Sequence, residues 1–208
     1  MDYSKLVNQL VERGCLKTPL IIEAFRQIQR ADFLPEKSKG EAGVNAPLSI
    51  GFGQTNSQPL TVAFMLELLQ PAPGDKILDI GAGSGWTSAL LGWCVGETGK
   101  VFAIERIPEI GEFGRSNLIK YNFIKRGVVE FICGDGSLGL KERAPFDKIL
   151  VSAAAEEIPP ALKEQLKIGG RLVAPVKNSI YLAIRKNEDE FKEEEFYGFS
   201  FVPLVGNQ

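Results

Sequence analysis

Ile77-Leu78-Asp79-Ile80-Gly81-Ala82-Gly83-Ser84-Gly85-Trp86 is the stretch whose reading decides the fold. A short apolar run broken by one carboxylate enters glycines at alternate positions, and Trp86 to Val95 continues as a helix. Working outward, Lys76 to Ile80 is a first strand and Lys100 to Glu105 a second, followed by a helix from about Pro108 to Tyr121. Val128 to Cys133 and Phe146 to Ala153 read as the third and fourth strands. Pro159 to Leu166 reads as a helix closed at Gly169-Gly170, and Arg171 to Val176 as the fifth strand. Strands alternating with helices predict an α/β, doubly wound, mostly parallel sheet with helices on both faces. Ser179 to Arg185 and Phe191 to Val202 flank the acidic turn Lys186 to Glu190, an antiparallel hairpin that closes the sheet edge.

Upstream, Ser4 to Arg13 and the segment after Thr18-Pro19 carry apolar stripes at helical spacing and read as a covering layer. From Ala42 to Leu66 no residue is charged, and glycines, prolines and amides punctuate the stretch. It reads as a loop folded over a site, then a helix from Pro59 to about Leu69. The expected organisation is a single domain, 1–208. Residues 1–70 are N-terminal helices and loop, 71–176 the α/β core, and 177–208 the hairpin and tail.

Composition narrows the chemistry. The 208 residues are 44% apolar, enough for a sizeable core, and the formal charge is −2. Without a basic excess a nucleic-acid partner is not expected. The chain has no histidine, which excludes Ser-His-Asp and Cys-His hydrolases, imidazole bases and nearly all zinc enzymes. No metal is expected. Cys15, Cys94 and Cys133 are odd in number and widely spaced, which suits a reducing compartment. The stretch Ile80 to Gly96 carries five glycines and fails as a membrane span, and Met1 to Gly14 lacks a signal-peptide core. The expectation is a soluble, cytoplasmic monomer.

The glycine turn indicates a ligand at the strand ends, because alternate glycines let the backbone approach it closely. Gly81, Gly83 and Gly85 form G-x-G-x-G, with Trp86 where a dinucleotide fingerprint places its last glycine, and no P-loop lysine follows. This fits a nucleoside without pyrophosphate, which points to S-adenosyl-L-methionine. Glu105, twenty residues after Gly85, suits both ribose hydroxyls. Asp135, with Gly136 in a tight turn after the third strand, suits an adenine amino group. Asp79 lies where a cationic methionine part would sit. Singly, each carboxylate reads better as a helix cap or surface group; together with the turn they read as a cofactor site.

Ile50 to Pro59 resembles the I-G-x-G-Q-T-x-S-x-P signature of protein-L-isoaspartate O-methyltransferases, and the resemblance spans nearly the whole chain. Asp79 to Trp86, Glu105 to Glu109, Gly134 to Gly139, Ala144 to Asp147, Glu157 to Pro159, Leu166 to Val176 and Phe201 to Gly206 are similar to the same family in the same order. The resemblance implies a Rossmann-like methyltransferase sheet and methyl transfer from S-adenosylmethionine to the carboxylate of L-isoaspartyl residues. The substrates would be damaged proteins or peptides, and the methyl ester would start their repair. It assigns Gln54, Thr55 and Ser57 to substrate binding and catalysis, and the tail Val202 to Gly206 to the peptide groove. Such chemistry needs no base: a carboxyl with a pKa near ~4 is already a nucleophile at neutral pH. Asn45, Ser49, Asn56 and Trp86 depart from the family pattern. The first and third lie near the acceptor and favour an alternative, a carboxyl methyltransferase for another peptide or small acid. A module that binds the cofactor or peptide without catalysis is a second alternative.

Overall fold

The computed structural model describes residues 2–206. A central sheet has the order β5-β4-β3-β6-β7-β8-β9, formed by β3 (Lys76–Ile80), β4 (Lys100–Glu105), β5 (Val129–Cys133), β6 (Phe146–Val151), β7 (Leu166–Val176), β8 (Ser179–Arg185) and β9 (Phe191–Tyr197). β5, β4, β3, β6 and β7 run parallel, and β8 and β9 return antiparallel. β3 and β4 are buried along almost their whole length, which is why they read as apolar runs rather than alternations. The edge strand β9 carries Lys192, Glu193, Glu194 and Glu195, charges that discourage pairing with another chain.

Helices α1 (Tyr3–Glu12), α2 (Pro19–Gln27), α3 (Pro59–Leu69), α4 (Trp86–Val95) and α5 (Pro108–Lys120) all contribute to one large core cluster or pack against its strands. α4 is apolar around its circumference because α2 covers the side that the sheet does not. Leu90 and Leu91 are fully buried there, worth ~1.5–3 kcal/mol each in apolar burial. The opposite face is thinner. It is covered by α6 (Pro160–Glu164), by the segment at Leu140 that leads into a single 3-10 turn (Lys141–Arg143), and by the loop around Ile158.

Three expectations need correction. β7 starts at Leu166, not Arg171, and Gly169-Gly170 lie inside the strand rather than after a helix. Phe146 pairs with Leu166 and Lys148 with Arg171, so β7 bulges at the glycine pair. The uncharged stretch is not wholly irregular: β1 (Leu48–Gly51) and β2 (Gln54–Asn56) form an antiparallel hairpin. The last strand ends at Tyr197 and not at Val202. Thr18 does hold the N-cap position of α2, but its hydroxyl donates to Glu67 Oε2 on α3 (2.7 Å) and makes no cap bond.

Candidate active site

The chain passes from β3 through β4 to β5 on one side of the sheet, then returns to place β6 on the other side of β3. Where strand order reverses, the carboxyl ends of neighbouring strands leave a crevice. An open cleft of about 940 Å³, its solvent-filled mouth included, lies there. Gln54, Thr55, Asn56 and Ser57 line it from the hairpin, and Gly81 to Ser84 from the glycine turn. Glu105 to Ile107, Gly134 to Gly136 and Ser152-Ala153 come from three further strand ends. The tail closes it: Ala154 N–H donates to Val202 O (2.8 Å) and Leu204 N–H to Ala154 O (2.7 Å), so that Val202 to Val205 form one wall.

Glu105 is buried at the floor. Its Oε2 accepts from Gly83 N–H (2.9 Å) and its Oε1 from Ile107 N–H (3.0 Å), which fixes the carboxylate and leaves a lone pair on each oxygen for a ligand. Asp135 is half-buried and accepts from Ser137 N–H (2.8 Å) through Oδ1. Gly136 packs so tightly that a Cβ there would come within 2.9 Å of Ile80 Cγ2. Thr55 is exposed, and Gln54 and Ser57 are half-buried at the cleft.

Two of the expected cofactor residues do not line the cleft. Gly85 starts α4 with φ +83°, and a Cβ there would meet Gly114 O at 2.9 Å, so it sets the close crossing of α4 and α5. Asp79 lies beneath the turn with no solvent exposure. Its Oδ2 accepts from the hydroxyls of Ser88 (2.6 Å) and Thr87 (3.2 Å), while its Oδ1 is buried without a partner. Burial drives its carboxyl up from 3.8 to about 6 against the pull of the two hydroxyls, and the nearby Glu105 adds to the rise.

The structure also resolves the departures from pattern. Asn45 does not face the acceptor: its Oδ1 accepts from Leu60 N–H (3.0 Å) and caps α3 from across the loop. The N-cap residue itself is Gln58, whose side chain makes no cap bond. Asn56 is buried, and its amide is held on both sides, by Arg30 and by Ser84. Trp86 stands edge-on to Phe25, with ring centroids 5.7 Å apart, and beneath the guanidinium of Arg30 at 5.4 Å. Tyr3 of α1 also meets Trp86 edge-on, at 6.4 Å, so both N-terminal helices pack against a residue that lines the cleft.

Arg30 is the residue that sequence reasoning missed. It is fully buried, and its guanidinium donates to the carbonyls of Ala42, Val44, Ala46 and Ser57 at 2.7 to 3.2 Å and to Asn56 Oδ1 at 2.8 Å. The available signal was an arginine between the apolar Ile28 and Phe33, ahead of a long uncharged loop whose carbonyls need donors.

The model of the family described as protein-L-isoaspartate(D-aspartate) O-methyltransferase matches residues 1–208. The chain belongs to this family. A protein-L-isoaspartate O-methyltransferase of Aeropyrum pernix is 45% identical over 97% of this chain and 78% of its own length. One from Methanopyrus kandleri is 40% identical over 98% and 91%. A solved structure described as protein-L-isoaspartate O-methyltransferase superposes with a TM-score of 0.89 at 28% identity, covering 99% of this chain and 67% of that one. A Plasmodium falciparum structure of the same description, solved with S-adenosyl-L-homocysteine, matches over the full length of both chains with a TM-score of 0.90. At 23% identity it supports the fold alone. The α/β, doubly wound architecture with C-terminal antiparallel strands is thus the architecture of the family. No helix among the described residues is long and apolar enough to cross a membrane.

Proposed function

We propose that this chain transfers the methyl group of S-adenosyl-L-methionine to the free carboxylate of L-isoaspartyl residues in damaged proteins or peptides, the first step of their repair. The observation that carries this reading is one cleft lined at once by Gln54, Thr55 and Ser57, by the glycine turn, and by Glu105 and Asp135. Family membership supplies the acceptor.

The residues present fit the cofactor. A fixed carboxylate with free lone pairs suits a pair of ribose hydroxyls, and the small surface at Gly81, Gly83 and Gly136 admits a nucleoside against bare backbone. Asp135 would accept from the adenine amino group. Asp79, buried with an unpartnered oxygen, would balance a cationic methionine end from beneath the turn. Gly85 would contribute by shaping the turn. When bound, S-adenosylmethionine supplies a methyl group on a positively charged sulfur.

The protein's task is then alignment. The acceptor carboxylate is anionic at neutral pH and needs no base, in keeping with a chain that has no histidine. Thr55 and Ser57 would donate hydroxyl hydrogen bonds to it, and the Gln54 amide would hold the adjoining peptide group. None of these adds a full charge that would trap the carboxylate in its ground state. Holding nucleophile and methyl in line can contribute ~7–11 kcal/mol. The tail Val202 to Val205 would border the peptide.

The three segments 1–70, 71–176 and 177–208 work as one methyltransferase domain in this reading, since the first and last both wall the cleft of the second. A monomer in the cytoplasm is the setting we assign, consistent with Cys15, Cys94 and Cys133 all being free thiols. The deciding assay is transfer of labelled methyl to an isoaspartyl peptide beside its normal aspartyl twin. Incorporation into the first alone is the expected result; equal labelling of both, or of neither, would overturn the assignment.

A further inference from the structure

The hydrogen bonds of Asn56 join two halves of the cleft. Behind it, Arg30 Nε donates to Asn56 Oδ1 (2.8 Å); in front, Asn56 Nδ2 donates to Ser84 Oγ (3.1 Å) in the glycine turn. Ser84 is buried, and its own carbonyl accepts from Asn117 Nδ2 (3.0 Å) on α5. A continuous buried chain of hydrogen bonds thus runs from α5 through the cofactor turn and the acceptor loop to Arg30. Arg30 in turn grips the acceptor loop by the carbonyls of Ala42, Val44, Ala46 and Ser57. Fully satisfied polar networks in a low-dielectric interior hold one geometry, because every alternative strands a buried donor or acceptor.

Asn56 lines the cleft together with Thr55 and Ser57, but it is buried and both polar atoms of its amide are already bonded within the protein, to Arg30 and to Ser84. We infer that Asn56 is a positioning residue, a clasp through which Arg30 and Ser84 lock the acceptor loop to the cofactor turn, so that ligand binding at the turn orders the loop. The inference deepens the proposed function and rests on Gln54, Thr55 and Ser57 being the acceptor side.

Asn56→Leu keeps the branched shape and removes both contacts, whereas Asn56→Asp keeps both, its carboxylate accepting from Arg30 and from the Ser84 hydroxyl. The probe is S-adenosyl-L-homocysteine, read by amide hydrogen exchange. In the unmodified protein it should slow exchange in residues 81–86 and also in 48–57; in Asn56→Leu it should slow only the first. In methyl transfer, Asn56→Leu should lower kcat about tenfold, because the acceptor loop is no longer held against the cofactor turn. KM for S-adenosylmethionine should stay within about twofold, since a weakened clasp leaves the cofactor contacts in place. Asn56→Asp should restore both loop protection and kcat. Loop protection in Asn56→Leu equal to that of the unmodified protein, or an Asp variant no better than Leu, would overturn the inference. Should Asn56→Leu fail to fold, Ser84→Ala, which opens only the front contact, gives the same exchange readout. If the unmodified protein methylates no isoaspartyl peptide, the acceptor assignment fails, while the exchange experiment still decides the clasp.

Discussion

Asp79 is held under the glycine turn with no solvent, two hydroxyl donors and one orphan oxygen, and its carboxyl is raised from 3.8 to about 6. The folded protein therefore keeps a proton on Asp79 between about pH 4 and pH 6 that the unfolded chain has already released. Across that window the native state binds more protons, so its stability falls as pH rises. Roughly two pKa units at ~1.36 kcal/mol each make the ionised Asp79 destabilising by about 3 kcal/mol near pH 7. In Asp79→Asn the amide oxygen can take both hydroxyl bonds, while its nitrogen lacks an acceptor, an offset of ~1–3 kcal/mol that does not vary with pH. The assay is urea unfolding of both proteins without cofactor from about pH 4 to pH 7.5. Whatever the offset, the variant should gain on the unmodified protein by about 3 kcal/mol across that range. A difference that stays flat, or that moves the other way, would refute the reasoning. Adding S-adenosylhomocysteine extends the test: an ammonium beside Asp79 lowers its pKa, so affinity should rise with pH in the unmodified protein and not in the variant.

Glu105→Gln replaces an oxygen that accepts from Gly83 or Ile107 with an NH₂ group that cannot; S-adenosylhomocysteine affinity by calorimetry should fall by ~1.5–3 kcal/mol, and unchanged affinity would remove Glu105 from the ribose site. The two glycines of the turn should separate. Gly85→Ala, at φ +83°, also collides with Gly114 O and should lower stability by ~1–3 kcal/mol; Gly83→Ala meets nothing closer than Ile50 Cδ1 at 3.7 Å, so it should lose only the ~1 kcal/mol of its φ of +55° and weaken cofactor binding as well. Ser57→Ala should reduce turnover without moving the melting temperature, and Asn45→Ala should cost ~1 kcal/mol of stability as a lost cap of α3. A lower melting point with full activity in Ser57→Ala would assign Ser57 a structural role instead.

The α/β core was legible because its signals are local. β3 and β4 are near-continuous apolar runs because both of their faces are covered; Gly81 follows the first, and Pro108, which opens α5, closely follows the second. β7 was misread at Gly169-Gly170, since a glycine pair marks a bulge within a strand as readily as a turn between elements, and only pairing to β6 distinguishes them. Glu105 and Asp135 were visible as carboxylates at strand ends. That Asp79 and Gly85 sit behind the cleft was not, because direction at a strand end depends on how α4 crosses α5, a contact across the fold at Gly114.

The acceptor loop was legible as a motif and not as a structure, and Arg30 gives the physical reason. A loop folded over a cleft carries carbonyls that neither a helix nor a sheet ladder satisfies, and each one buried without a donor is costly. One guanidinium presents five N–H groups in a fixed plane, enough to serve Ala42, Val44, Ala46 and Ser57 and still reach Asn56. Its partners are all carbonyl or amide oxygens, with no carboxylate among them, and burial lowers its pKa to about 10, which leaves it charged at neutral pH. The absence of charge between Ala42 and Leu66 and the single charge buried at Arg30 are therefore two sides of one arrangement. A carboxylate placed among those carbonyls would compete with them for Nη1 and Nη2 of the guanidinium; position 56 is the exception, because its side-chain oxygen already meets the separate Nε–H. The uncharged composition that first marked this loop as a site is, in the folded protein, what allows one arginine to hold it there.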